Sequence, residues 1–95
     1  MIDYTLENGL QLIRLHYGRK ATLEKCKEEL QELIEALEKR DIENIHEEVA
    51  DVYNILSHIK AYYNISDDEI KERQQYKVKI HPIFIFLVSF SWVVF

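Results

Sequence analysis

Apolar residues recur at helical spacing through most of this chain, with only two glycines and one proline to interrupt them, and that periodicity leaves helices as the fold. Leu6, Leu10, Ile13 and Tyr17 are spaced i, i+4, i+7, i+11 behind Thr5, which can cap a first helix that Gly18 stops. Gly9 weakens that helix slightly. After the loop "GRKAT", Thr22 can cap a second helix with Leu23, Cys26, Leu30, Leu33, Ile34 and Leu37 on one face. "KRD" breaks the pattern, and Asp41 can cap a third helix carrying Ile42, Ile45, Val49, Val52, Tyr53, Leu56 and Ile59, which Asn64 ends. "SDDE", Ser66 to Glu69, has the spacing of a capping box and opens a fourth, basic helix towards Lys79, with Pro82 as its latest end. The fold class expected is all-α, a small antiparallel helical bundle.

Ninety-five residues make one small domain, which buries only about 60 to 65% of its unfolded surface, so self-association is expected. The net charge of −5 argues against nucleic acid as a general partner. A single cysteine, Cys26, makes no internal disulfide, and no basic, apolar leader opens the chain, so a cytoplasmic location is expected. Cys26 itself, on the apolar stripe, reads as a core residue.

The distribution of charge says more than its total. Ten carboxylates lie between Glu28 and Asp51 against only Lys39 and Arg40, a local balance of −8 that leaves +3 on the rest. The last fourteen residues, "PIFIFLVSFSWVVF", carry no charge at all. That run is shorter than the roughly 20 residues of a membrane-spanning helix, and as an exposed segment it would be prone to β-aggregation. A segment packed on the bundle or a sister subunit, a tail foreign to the domain such as one from a shifted reading frame, and a membrane anchor all stay open. The domain boundaries expected are 1–79 for the helical domain and 80–95 for the tail.

Two stretches nineteen residues apart can be laid over each other, "ELQELIEAL" from Glu29 and "EVADVYNIL" from Glu48. Glu29 then matches Glu48 and Glu32 matches Asp51. At about 100° per residue, each pair sits one turn apart at the edge of its helix's apolar face. A short connection makes the two helices antiparallel neighbours, so the pairs can converge at one border of the interface. Four carboxylates there would repel one another unless a cation offset them, and a hard divalent ion, Mg²⁺ or Mn²⁺, suits an all-oxygen set. The plainer alternative is a solvated acidic face, since E-x-x-E is common on helices. A di-iron site would need two Glu-x-x-His motifs, whereas Glu43 with His46 is the one candidate.

"EELQE" from Glu28, followed sixteen residues after Glu32 by "EVAD" from Glu48, resembles the EExxE…ExxD signature of the MazG-like all-α nucleoside triphosphate pyrophosphohydrolases. The likeness covers roughly residues 20 to 79. It implies Mg²⁺-dependent hydrolysis of a nucleoside triphosphate to the monophosphate and pyrophosphate. It also implies metal-ligand roles for Glu29, Glu32, Glu48 and Asp51, and for Glu28 a role as ligand, support or base. The triphosphate needs positive side chains, and Lys71, Arg73, Lys77 and Lys79 on the fourth helix are the nearest supply. His58, seven residues after Asp51, could reach substrate, although an ordinary surface histidine is the plainer expectation. A homodimer or homotetramer is the expected assembly. Family members usually continue the last helix with polar and basic residues, and here the apolar tail replaces them. The rival reading is a non-enzymatic helical interaction module, or an inactive family member, whose tail docks on a partner or membrane.

Overall fold

The computed structural model describes residues 5–94, with side chains as far as residue 89. The end of the apolar tail, its side chains from residue 90 and the whole of residue 95, lies outside the described residues. Four helices account for the described chain: α1 (Leu6–Lys39), α2 (Ile42–Tyr63), α3 (Asp67–Lys79) and α4 (Pro82–Val94). They fall into two compact units, Met1–Asn64 and Ile65–Phe95.

In the first unit the capping chemistry does what the sequence suggests. The Thr5 side chain accepts from the Asn8 amide at 3.3 Å, Asp41 accepts from Asn44 at 3.3 Å, and Asn64 closes α2 in the left-handed conformation (φ 53°). Arg40 takes the same left-handed form (φ 55°) at the end of α1, its amide donating to the carbonyls of Ala36 and Leu37. The expected loop "GRKAT" is instead helical from Arg19 onward. Gly18 alone leaves helical geometry (φ 80°, ψ 172°), a backbone region that only glycine enters cheaply, so α1 is kinked there and resumes at once. Thr22 therefore stands inside α1 and caps nothing. Two aromatic contacts brace the kink: the Arg19 guanidinium lies 5.0 Å from the Tyr63 ring centre and 5.7 Å from that of Tyr62, whose hydroxyl donates to the Arg14 carbonyl at 3.5 Å.

The α1–α2 seam is narrower than the apolar stripes. Thr22, Cys26, Glu29 and Ala36 of α1 are buried with Glu48, Ile55 and His58 of α2, while Leu30, Ile34 and Leu37, and opposite them Val49, Tyr53 and Leu56, stay exposed. Of the four acids, Glu29 and Glu48 are drawn into the seam, while Asp51 is half-buried and Glu32 exposed at its border. Two helices cover only a thin strip of each other, and a stripe wider than about 100° outruns that contact. Cys26 donates its thiol to the Ile55 carbonyl at 3.8 Å, and burial pushes its pKa up, so it packs as an inert core group.

In the second unit, Ser66 and Glu69 form the expected capping box, Ser66 Oγ accepting from the Glu69 amide at 3.1 Å and Glu69 Oε2 from the Ser66 amide at 3.2 Å. The helix it opens ends at Lys79, before Pro82. Pro82 then serves as the first residue of α4, where its missing N–H costs nothing, and His81 Nδ1 accepts from the Ile83 amide at 3.2 Å. The described apolar side chains of α4, from Ile83 to Val88, are all exposed. Among the described residues no helix is long and apolar enough to cross a membrane.

Candidate active site

Glu29 and Glu32 lie one turn apart on α1, Glu48 and Asp51 one turn apart on α2, and the antiparallel register sets Glu32 against Glu48 and Glu29 against Asp51. One oxygen from each of the four lies within 4.8 Å of the others. The expected pairs therefore do meet. Glu29 and Glu48 are each only 8% exposed, Asp51 is half-buried and Glu32 is open to solvent. The Oε2 atoms of both Glu29 and Glu48 are buried with no hydrogen-bond partner.

That arrangement is electrostatically unfavourable on its own. Burial pushes the Glu48 pKa above the usual carboxylate value, and the charges of Glu32, Asp51 and Glu29 push it further. Asp51 is raised for the same reasons, first by burial and then by Glu29. Lys25 is the nearby cation, 3.1 Å from Glu29 and 3.4 Å from Glu28, and one lysine does not balance four acids. Two orphaned carboxylate oxygens in an all-oxygen donor set fit a hard divalent cation. Glu28 stands apart from the four, its side chain 64% exposed and tied to Lys25.

Beside the carboxylates, between α1 and α2, lies a cavity of about 590 Å³. Leu10, Ile13, Tyr17, Ala21 and Ile55 give it apolar walls, and Glu28, Glu29 and Asp51 belong to its lining, so it opens onto the acids. Thr22, Asn54 and His58 add neutral polar groups. The Thr22 hydroxyl is buried and unpartnered, a state that costs about 1–3 kcal/mol when nothing satisfies it.

His58 is not the surface histidine the sequence suggests: it is 6% exposed, and its Nδ1 lies 3.0 Å from Arg14 Nη1. Burial, with the Arg14 charge beside it, pulls its pKa down, so it is neutral at physiological pH. Arg14 and Thr22 carried no functional signal in the sequence. The readable hint was register, because an antiparallel pairing of Glu29 with Asp51 brings His58 to the level of Thr22. Lys71, Arg73 and Lys77 lie exposed on α3, in the second unit.

The model of the phosphoribosyl-ATP pyrophosphohydrolase family matches residues 13–76. The matched stretch holds all five acids of the motif together with Arg14, Thr22, His58, Lys71 and Arg73, and it stops short of Lys77 and of α4. Neither the curated proteins nor the solved structures contain a match to the chain. With two thirds of its length matched and the paired acids of the motif gathered in one place, the chain belongs to the phosphoribosyl-ATP pyrophosphohydrolase family, within the MazG-like all-α superfamily.

Proposed function

We propose that this protein is a Mg²⁺-dependent pyrophosphohydrolase that cleaves a nucleoside triphosphate to the monophosphate and pyrophosphate, with Mn²⁺ as the alternative cation. The observation that carries the proposal is the gathering of four carboxylates from two helices, two of them with buried, unpartnered oxygens. Glu29, Glu32, Glu48 and Asp51 hold the cation, which when bound neutralises phosphate oxygens and makes a water more acidic. Glu28, at the lining of the adjoining cavity, orients the attacking water and takes its proton. The remaining phosphate charge calls for positive side chains, which the sequence offers in Lys71, Arg73 and Lys77.

A homodimer or homotetramer completes the molecule in this reading. Only Leu10, Cys26, Ala36 and Ile55 are buried among the described apolar residues, and the exposed stripes of the first unit supply a surface for a second copy. The rival interaction module predicts solvated acids, and the burial of Glu29 and Glu48 counts against it.

The test is turnover and thermal stability of the wild type, Glu32→Gln and Asp51→Asn, with EDTA and with millimolar Mg²⁺. Wild type should gain stability from Mg²⁺, because a ligand stabilises the state that binds it. Both variants should lose that gain and at least about a hundredfold in turnover while keeping their helical content. Undiminished activity in both would sink the site assignment.

A further inference from the structure

The cavity beside the carboxylates carries information that the acids do not. An arginine has only donors to offer, so the 3.0 Å contact between Arg14 Nη1 and His58 Nδ1 makes Nδ1 the acceptor. A neutral imidazole whose Nδ1 accepts carries its proton on Nε2. Arg14 therefore selects one tautomer, and the histidine that lines the cavity is left with an Nε2–H donor. Two further polar groups share that wall: the buried, unpartnered Thr22 hydroxyl and the Asn54 amide. Apolar side chains, the Tyr17 ring among them, share the lining with Glu24, Lys25, Glu28, Glu29 and Asp51. A flat, largely apolar ligand with hydrogen-bonding atoms along its edge matches this lining, and its phosphate-bearing end would face Glu28, Glu29 and Asp51.

We propose that this cavity seats the nucleobase of the substrate, with Thr22, Asn54 and His58 reading its edge and Arg14 acting through His58 as the positioning residue for base selection. The identity of the ligand rests on the pyrophosphohydrolase reading of the neighbouring acids. The tautomer adds a constraint of its own: the atom of the base that meets His58 must be an acceptor, a ring carbonyl or an unprotonated ring nitrogen. A base edge that places an amino group there is rejected, because two donors would then face each other with no acceptor between them.

The test uses the full chain and calorimetric binding of four nucleoside 5′-monophosphates, with ribose 5-phosphate as the base-free probe, in EDTA and again with Mg²⁺. Wild type should bind at least one nucleotide more tightly than ribose 5-phosphate and should rank the bases. Thr22→Val and His58→Phe should each weaken nucleotide binding about tenfold, the loss of one hydrogen bond, and leave ribose 5-phosphate unchanged. Nitrogen-15 spectra of histidine-labelled protein should show the Nε2–H tautomer for His58. Arg14→Met should lose that signature and flatten the base ranking, and Arg14→Lys, which restores a donor, should recover part of both. Arg14→Met is compared only if its helical content and melting remain cooperative, and Thr22→Val, nearly isosteric, carries the test if they do not.

Equal binding of all nucleotides and ribose 5-phosphate by the wild type would overturn the proposal, as would an unchanged ranking in Thr22→Val. The reaction itself is judged separately. Glu32→Gln should keep base-ranked binding in EDTA while losing the Mg²⁺ effect, and a wild type that ranks bases yet shows no Mg²⁺ effect would remove the hydrolase reading and leave the base pocket standing.

Discussion

The two units of this chain break the ordinary rule of burial in opposite directions. The first buries ionisable groups: Glu29, Glu48 and His58 lie in the α1–α2 seam, and only four apolar side chains are buried among the described residues. The second exposes hydrocarbon: α3 buries nothing, and every described apolar side chain of α4 is open. Burying carboxylates without partners is costly, and a seam that carries them is built for something other than stability. An apolar helix left open has the reverse character, since exposed hydrocarbon lowers solubility. The difference teaches that the candidate site and the packing of the first unit share one seam, so the acids are set where they work against the contact that holds the unit together.

The largest test of that contrast is a pair of matched truncations. Ile55→Ala removes a side chain that is 4% exposed and should cost about 2–5 kcal/mol. Ile85→Ala, at 50% exposure, should change stability by no more than about 0.5 kcal/mol. Chemical denaturation of the two variants decides it, and comparable losses would mean that α4 is packed in the working protein.

A stop after Lys79 comes next. It should raise solubility and reduce binding of a hydrophobic dye, while the Mg²⁺-dependent rise in melting temperature survives, because the acids all lie between Glu28 and Asp51. A shortened protein that no longer responds to Mg²⁺ would show that the apolar helix contributes to the site.

How much of this was legible in the sequence follows from what each residue's position depends on. Caps are local, so Thr5, Asp41, Asn64 and the Ser66–Glu69 box could be read from neighbours a turn away. The convergence of Glu29, Glu32, Glu48 and Asp51 was legible because a two-residue turn leaves an antiparallel hairpin one register, and the same spacing repeats on both helices. Gly18 was legible as an interruption, but a single glycine can kink a helix without ending it, and that difference moved Thr22 from a cap to a cavity wall. The burial of His58 and its pairing with Arg14 were not legible. Forty-four residues separate them, and the stripes drew attention to Leu30, Ile34 and Leu37, which the seam leaves outside.

The smallest effect is the most diagnostic, because its sign depends on buried charge. The folded-state pKa values of Glu48 and Asp51 lie above their ordinary 4.5 and 3.8, so the folded protein binds protons more tightly than the unfolded chain. What these groups contribute is fully present below those ordinary values and is lost as pH rises through the raised ones. His58 runs the other way: its pKa lies below 6.5, so its contribution is present above that value and is lost as pH falls through the lowered one. Glu48→Gln isolates the carboxylate part, since both proteins keep His58. In EDTA at neutral pH the variant should melt a few degrees above the wild type, on the order expected for relief of one repelled charge in a domain this size. The gap should shrink as pH falls towards 4.5, where the wild-type carboxyl carries its own proton. Mg²⁺ at neutral pH should reverse the order, because the wild type alone then gains the full set of ligands. A variant less stable than the wild type in EDTA at neutral pH would mean that Glu48 is stabilised by something other than a cation, and the seam would lose its reading as a site that trades stability for binding.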